Sequence, residues 1–594
     1  MKKLNSLEII ILFATVSVIV TFNPLSFDPY NSIKLFFLVF FGIILFVNFI
    51  FKYDFTRIYQ TNKSVTLISG IFLLLLALST FVNSDNITQS LLGSYGRNNG
   101  FLSWVSLILF FLIASYSRNQ IFAHIFIRYF LVIGLILGLY AWSQYAKFDL
   151  IKILYPWFNQ SGRIDATFGN TNLFAVFSAF VIIISFGLIL DRTVNNKIRI
   201  FSIFTLGIYL PFIPIIDFQG RILSIFGLML LLIIWLIFHE SRAVKSIGFL
   251  FFAGLFIGSA FVVLSFFKIG PLVSYMADYI PSLRDRVFFW EAALRIITDF
   301  PLFGVGIDEM NYWYREYRSP DSVGYRGPVG EGADNVHNIF LQLGATTGFF
   351  TLIALIFMFI YIGICCAMVL KNYTNNFSQV AIVVAWIIFF LQALISFDNL
   401  AILFIGFVFS GILVSLSRMT SKSKTDEVFV GLKKNKNGSP IVISKVIAIL
   451  IALYQLIIVS AYQVNDLSMH SNWRVIKNTV DGNQQVNQVA IDKFIGEVLR
   501  SQQSGKRMRS AEQILIYGQA IPALKIAEIT AKEFPREIQA WNTMARILEG
   551  YGKYGLATNA RKQLVKLDPL NPELKVKLDE NIRNRLEGLQ LNQP

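Results

Sequence analysis

Hydrophobic residues occur in this chain as runs of about 20, separated by short polar segments, from residue 7 to residue 464. Helices of that length cross the roughly 30 Å hydrocarbon core of a bilayer. The pattern therefore predicts an all-α polytopic membrane protein with about 13 transmembrane helices. The predicted spans are 7–22, 33–51, 65–82, 101–116, 121–146, 171–190, 200–216, 222–238, 246–267, 339–370, 379–397, 400–417 and 446–464.

Two long polar segments interrupt this pattern. In residues 268–337, a capping-box sequence at 282–285 predicts a helix that runs to about Thr298, and a second helix is expected to begin near Asn338. Residues 465–594 are polar with a helical pattern, so we expect them to form a domain separate from the membrane domain, residues 1–464.

The placement of lysine and arginine predicts the orientation of the chain. With a cytoplasmic N-terminus, the inner segments, including a basic loop at 418–445, carry 19 of these residues, whereas the short outer loops carry 5. This asymmetry follows the positive-inside rule and places 268–337 and 465–594 outside the cytoplasmic (inner) membrane. The net charge of +16 then reflects topology and contact with anionic membrane lipids, so nucleic acid is not an expected partner.

Composition and motifs argue against several kinds of site. Only 15% of residues are charged, and the two cysteines, Cys365 and Cys366, are adjacent within an apolar run. They offer neither a long-range disulfide nor a metal-ligand spacing. Asp-x-Asp does not occur, and no Walker-type lysine follows the glycines at 304–306. We therefore expect no metal and no cofactor.

His337 closes the outer polar segment at the membrane face, where a helix is predicted to start. A helix N-terminus is partly positive and disfavours imidazolium, so the neutral ring could accept a proton. Asp334 and Asn335 are candidates to cap this helix and orient the ring, and Asn338 begins the helix. A purely structural histidine is the alternative interpretation.

Four arginines lie at the predicted outer ends of spans, namely Arg97, Arg163, Arg221 and Arg286. The positive-inside rule disfavours arginine in short outer loops, and a guanidinium group binds phosphate through two parallel hydrogen bonds. Contact with lipid headgroups is the alternative for any one of them. Further, weaker candidates are Arg284, Arg315, Arg318 and Arg326.

The C-terminal segment contains residues that recur 34 positions apart: Ala511 and Ala545, Ala523 and Ala557, Pro535 and Pro569. Together with Trp541, this spacing resembles a tetratricopeptide repeat. Two repeats are marginal, so residues 486–503 are expected to pack alongside. The segment could be a helical cap, or a surface on which an envelope protein docks, and both interpretations stay open.

Several motifs together resemble the O-antigen ligase and polymerase superfamily of bacterial membrane proteins, over about residues 65–417. The motifs are Gly-Ser-Tyr-x-Arg-x-x-Gly at 93–100, Arg163 with Thr-Phe-Gly-Asn-x-Asn at 167–172, Gln-Gly-Arg at 219–221, Arg286 with Trp290 and Pro-Leu-x-Gly-x-Gly at 301–306, and Asp-Asn-Val-His-Asn at 334–338 with Leu341 and Gly348.

The resemblance implies a GT-C-like, inverting, metal-independent glycosyltransferase that uses a polyprenyl-diphosphate-linked glycan, such as one on undecaprenyl diphosphate, outside the membrane. The acceptor would be a lipid (the lipid A core of lipopolysaccharide), another glycan or a protein. His337 matches the catalytic base, and Arg163 and Arg221 match diphosphate-binding arginines. Arg97 and Arg286 match recurring positions that we also assign to the diphosphate. The last span and the C-terminal segment depart from the minimal ligase pattern.

The sequence does not separate a ligase from a polymerase of lipid-linked repeat units. Two hypotheses of other classes are a flippase or transporter of lipid-linked sugars and an envelope scaffold. A transporter normally buries ionisable residues within its spans, and these spans contain few. Transfer of a glycan is therefore the favoured hypothesis.

Overall fold

The computed structural model describes residues 4–52, 62–83, 86–117, 120–156, 163–266, 281–327, 332–372, 376–396, 399–419, 442–481 and 488–590. Within these ranges the regular structure is α-helix with one 3-10 turn and no strand, which confirms the predicted all-α class. Most of the predicted basic loop 418–445 and part of 268–337 lie outside the described residues.

The described helices of the membrane part and the outer segment run from Ser6 to Asp481, and the last of them leads out of the membrane part. They are α1 (Ser6–Val20), α2 (Asn31–Lys52), α3 (Lys63–Val82), α4 (Ile87–Leu92), α5 (Phe101–Tyr116), α6 (Gln120–Tyr145), α7 (Leu150–Leu154), α8 (Thr171–Leu190), α9 (Asn196–Tyr209), α10 (Phe218–Ile237), α11 (Arg242–Phe266), α12 (Pro281–Asp299), α13 (Met310–Tyr317), α14 (Pro320–Arg326), α15 (Ile339–Thr347), α16 (Phe349–Lys371), α17 (Phe377–Ile395), α18 (Leu400–Met419) and α19 (Val442–Asp481), of which α12 to α14 form the outer segment.

Nine of the described helices are long and apolar enough to cross a membrane, and α1 and α5 are shorter apolar helices. This establishes an integral membrane protein, whereas the count of 13 spans stays a prediction. The bundle is organised around α18, which is wholly buried, and α8, which is mostly buried. Helix α18 packs against α5, and α8 packs against α9, α10 and α17.

The predicted continuous span 339–370 is wrong, because the helix breaks at Gly348 into α15 and α16. Gly348 has a φ of 92°, a conformation that glycine adopts without steric cost, and a Cβ there would overlap the backbone of Leu302. The amide of Phe349 donates to the carbonyl of Pro301 at 2.8 Å. The break therefore brings the 301–306 motif against the end of α15.

The outer segment has its own small hydrophobic core. Helix α12 ends at Asp299, close to the predicted Thr298, and packs against α13 and α15. Phe289, Ile296, Met310 and Val336 are among the buried residues of this core. The side chains of the predicted capping box at 282–283 lie outside the described residues. The packing holds the loop that carries His337 against α12.

Helix α19 continues without a break across the predicted domain boundary at residue 464. Beyond it, consecutive helices pack in antiparallel pairs, with α20 against α19 and α22 as expected for residues 486–503. These helices are α20 (Gln488–Arg500), α21 (Ser504–Ile516), α22 (Ala520–Glu533), α23 (Ile538–Gly550), α24 (Tyr554–Leu567) and α25 (Pro572–Gln590).

The described helices α20 to α25 are docked on the outer segment. Asp568, which is 1% exposed, accepts hydrogen bonds from Arg318 at 2.6 Å and Arg315 at 3.2 Å. Ser504 lies 2.6 Å from the hydroxyl of Tyr312. Buried ion pairs of this kind require a specific geometry, so the domain has one defined position over α13.

Candidate active site

His337 lies in a tight loop directly before α15. Its φ is 58°, and its backbone amide donates to Oδ1 of Asn335 at 2.7 Å. The cap of α15 is Asn338, whose Oδ1 accepts from the amides of Phe340 and Leu341, both at 3.0 Å. The expectation that Asp334 or Asn335 caps this helix is therefore wrong, because Asn335 instead fixes the turn.

The imidazole ring of His337 is half-buried between an aromatic residue and several cations. It stacks on Phe289 with ring centroids 5.8 Å apart and an interplanar angle of 22°. Burial, reinforced by the charges of Arg286 and Arg97 and opposed by Asp334, lowers the pKa of His337 to about 4. The ring is therefore neutral near pH 7, as predicted, and the named charges lie within electrostatic range of it.

A chain of polar contacts connects Arg286 to the starts of α10 and α8. Nη2 of Arg286 donates to Oε1 of Gln219 at 3.3 Å. Asp217 caps α10 by accepting from the amide of Gln219 at 3.2 Å. With its amide nitrogen turned towards them, Asn172 donates to both carboxylate oxygens of Asp217. The motifs at 167–172 and 219–221 thus meet through Asp217.

Arg221 lies in the first turns of α10. A Cβ at Gly220 would overlap Ala175, so glycine allows α8 and α10 to cross closely beside it. Nη2 of Arg221 donates to the carbonyls of Pro214 at 2.9 Å and Ile216 at 3.3 Å. Its buried Nε has no acceptor among the described residues. The guanidinium is thus held by neutral backbone oxygens.

Arg97 also lies within electrostatic range of His337 and is held in the loop 93–100. Its Nε and Nη2 donate to Oδ2 of Asp334 at 3.0 and 2.5 Å. The loop itself is fixed by Asp308, whose Oδ2 accepts from the amide and hydroxyl of Ser94 at 2.8 and 3.0 Å and from the amide of Asn99 at 3.3 Å. Burial raises the pKa of Asp308 to about 6.

Arg163 is exposed, and its described interaction is electrostatic, with Asp165 rather than with His337. The weaker arginine candidates are each engaged elsewhere: Arg315 and Arg318 with Asp568, Arg326 with Asp285, and Arg284 over the ring of Tyr325. The structure therefore brings Arg97 and Arg286 to His337, connects Arg221 to them through the start of α10, and leaves Arg163 at the edge.

Sequence reasoning missed the roles of Asp217, Gln219 and Asp308. Gln219 belongs to the recognised motif at 219–221, and Asp217 lies two positions before it. An acidic residue so close to the motif was a signal that the sequence offered. Asp308 gave no such signal, since it acts on a loop more than 200 positions earlier. Among the described residues, no group of three histidine, cysteine or acidic side chains could hold a metal ion.

The fold and the site define an integral membrane protein with a histidine and arginine centre between its helices and its outer segment. Residues 219–356 match the family model described as O-antigen ligase (Wzy_C). This match confirms the resemblance to the superfamily and supports a lipid-linked glycan transferase of the ligase and polymerase type.

The matched segment contains Arg221, Arg286 and His337, whereas Arg97 and Arg163 precede it. No curated protein matches the chain. The tetratricopeptide character of the C-terminal domain stays a prediction.

Proposed function

We propose that this protein transfers a glycan from a polyprenyl-diphosphate carrier to an acceptor hydroxyl at the outer face of the cytoplasmic membrane. The observation that carries this proposal is the position of the neutral His337 beside Arg286 and Arg97, within a segment that matches an O-antigen ligase domain. The positive-inside charge distribution supports an extracytoplasmic location for the outer segment and the C-terminal domain.

In this proposal His337 is the general base. Its ring accepts the proton of the acceptor hydroxyl as that oxygen bonds to the anomeric carbon of the donor glycan. The bond from the anomeric carbon to the diphosphate oxygen breaks on the opposite face, which inverts the configuration. The products are the glycosylated acceptor and the polyprenyl diphosphate, and the proton on His337 is then released.

Arginine side chains stabilise the leaving group without a metal ion. Arg221 and Arg286 bind the diphosphate, because their hydrogen-bond acceptors among the described residues are neutral oxygens, so an anion need not displace a paired carboxylate. Arg163 and Arg97 make further contacts from the loops beside them. Charge that develops on the leaving oxygen is stabilised by these preorganised donors, as in other electrostatically assisted transfers.

Donor binding increases the basicity of His337. A base with a pKa of about 4 is weak, and the cations of Arg286 and Arg97 contribute to that low value. A diphosphate bound beside these arginines offsets their charge and raises the pKa of His337 towards neutrality. The base is therefore strongest when the donor is in place.

The test uses a strain that lacks the gene, complemented with His337→Ala, Arg221→Ala or, as a matched control, His239→Ala at the predicted cytoplasmic face. After membrane insertion is verified, we expect the first two variants to lose transfer and the control to retain it. Full transfer by both His337→Ala and Arg221→Ala would contradict the proposal.

The same strain separates the two forms of transfer by its glycan profile. Loss of ladder length indicates a polymerase of lipid-linked repeat units. Full-length glycan stranded on the carrier indicates a ligase, whose acceptor is a lipid, another glycan or a protein.

A further inference from the structure

The loop 93–100, which carries Arg97, is closed by its own backbone. Gly93 has a φ of 89°, and a Cβ there would lie 2.5 Å from the amide nitrogen of Asn99 and 2.6 Å from that of Gly100. Only glycine fits such a close approach. The two ends of the loop therefore touch, and a residue that holds this neck also limits where Arg97 can lie.

The start of α21 reaches the neck of the loop. Gln503, which immediately precedes α21 and is 1% exposed, donates from Nε2 to the carbonyl of Gly93 at 2.6 Å. The amide of Ser504 donates to Oε1 of Gln89, in the short helix α4 before the loop, at 3.2 Å. Because a buried carbonyl without a hydrogen bond is costly, the contact with Gln503 stabilises one position of the neck.

The residues on both sides of Arg97 are held by α19 and α21. Nδ2 of Asn98 donates to the hydroxyl of Tyr462, in α19, at 3.0 Å. Nη1 of Arg509, in α21, donates to the hydroxyl of Tyr95 at 3.3 Å. The ring of Tyr95 packs against the hydrophobic core of the C-terminal helices. The tip of the loop is thus held by the same helices as its neck.

A buried ion pair fixes α21 itself. Nζ of Lys506 lies 2.5 Å from Oδ1 of Asp466, in α19, and both side chains are 0% exposed. Oδ2 of Asp466 accepts from the amide of Asp28 and the hydroxyl of Ser32, both at 3.1 Å. A buried pair with these additional hydrogen bonds requires one geometry, so α21 has a defined position beside the loop 93–100.

We propose that Gln503 is a positioning residue for glycan transfer, which holds the loop 93–100 so that Arg97 can contact the lipid-linked donor. The inference rests on the proposed function, in which Arg97 binds the diphosphate. It gives α19 and α21 a role in donor binding, although both lie outside the matched segment 219–356.

The test is a double-mutant cycle between Gln503 and Arg97, in the full chain reconstituted in proteoliposomes. Gln503→Ala removes the hydrogen bond to Gly93 and should raise KM for the lipid-linked donor about tenfold, with a much smaller change in kcat. A variant that only unfolds part of the protein lowers the apparent kcat and leaves KM unchanged. In the Arg97→Ala protein, Gln503→Ala should have no further effect on KM, because it acts through Arg97.

A second variant tests the loop by the removal of a single oxygen atom. Tyr462→Phe keeps the ring and removes the acceptor of Asn98, so it disturbs folding less than Gln503→Ala. It should raise KM for the lipid-linked donor about threefold, again only where Arg97 is present.

The matched control is Arg561→Met, which breaks the pair of Arg561 with Glu549 within the C-terminal helices and contacts no residue of the loop. It should lower thermal stability and leave KM for the lipid-linked donor unchanged. Hydrogen exchange gives a measurement that does not depend on activity. The amides of the loop 93–100 should exchange faster in Gln503→Ala and at the normal rate in Arg561→Met.

Unchanged KM and loop exchange in Gln503→Ala would overturn the inference, and so would an effect on KM that persists in full in the Arg97→Ala protein. An equal rise of KM in Arg561→Met would also overturn it, because loss of stability would then explain the effect. Failure of the proposed function shows elsewhere, as full transfer by His337→Ala and Arg221→Ala.

Discussion

Two pairs of arginines differ in what they contact, namely Arg315 with Arg318 and Arg221 with Arg286. Arg318 is 3% exposed and paired with the carboxylate of Asp568, which also binds Arg315. Arg221 and Arg286 instead donate to backbone carbonyls and to a side-chain amide. The first pair joins the outer segment to the helices after α19, whereas Arg221 lies at the start of α10 and Arg286 lies within electrostatic range of His337.

The difference indicates which cations can bind an anionic substrate. A buried carboxylate offsets the charge of its arginine and must be displaced before the arginine can bind another anion. A carbonyl or carboxamide orients a guanidinium without forming an ion pair, so an anion can bind it without displacing a carboxylate, although Asp217 and Asp285 lie within electrostatic range of Arg286. We therefore expect substitutions in the first group to affect stability and substitutions in the second group to affect catalysis.

The largest effect on stability is expected from Asp568→Ala. It leaves Arg318 buried without its carboxylate, which costs on the order of 3–5 kcal/mol when a buried pair is broken. Hydrogen exchange of the amides in α13 and α24 should become faster in the variant. The control is Glu497→Ala, which removes a pair with the 73% exposed Arg500 and should have almost no effect.

Arg221→Ala should lower the rate of transfer by about 10²–10³ without changing thermal stability, because it removes one preorganised stabiliser of the leaving charge. The measurement is kcat with a lipid-linked donor in proteoliposomes, beside a melting curve. Arg221→Lys should recover part of the rate, since it restores the charge but not the planar fork. A large loss of stability with a normal rate per folded molecule would place Arg221 in the structural group.

The pH profile of transfer tests the electrostatic coupling at His337. Because the folded pKa of about 4 lies below the usual 6.5, the acid limb of kcat/KM should fall near pH 4. Bound diphosphate raises this pKa, so the acid limb of kcat should lie at higher pH. Arg286→Gln removes a cation and should move the kcat/KM limb upward. If the acid limbs of kcat/KM and kcat coincided in the unchanged protein, the bound donor would not offset the charges of Arg286 and Arg97.

Much of the fold was predictable because long apolar runs and charged loops encode membrane helices directly. The break at Gly348 was not, since it depends on contact with Pro301 and Leu302, nearly 50 positions earlier. The periodicity of residues 339–370 is that of one helix. A glycine within an apolar run is common in membrane helices and did not by itself indicate a turn.

The candidate site was also predictable only in part. His337 and the helix-end arginines stood out because polar residues at predicted span edges are conspicuous. Arg318 and Arg286 are both arginines in one polar segment. The sequence could therefore not show that Arg318 pairs with the carboxylate of Asp568, whereas Arg286 donates to the carboxamide of Gln219. Their partners come from other parts of the chain, and only tertiary packing distinguishes them.

A smaller effect is expected from Asp308→Asn, since Asp308 orients the loop that carries Arg97. The folded pKa of Asp308 is raised from 3.8 to about 6, so between these values the folded state holds a proton that the unfolded state has lost. Stability from this group therefore falls as pH rises through that window. Thermal melting at pH 5 and pH 8 should show this fall, and Asp308→Asn should reduce it. If Asp308→Asn left the pH dependence of stability unchanged, a group other than Asp308 would be responsible for it.

The smallest effect on stability, within about 1 kcal/mol, is expected from Asp334→Asn, because the side chain of Asp334 is 60% exposed. This variant decides to which group Arg97 belongs, since Arg97 has a carboxylate partner but lies beside His337. If Arg97 binds the diphosphate, its release should lower KM for the lipid-linked donor. If Arg97 does not contact the donor, donor KM should stay unchanged. Reduced thermal stability with unchanged donor KM would make Arg97 structural, like Arg318, because its carboxylate would then serve only to hold the loop.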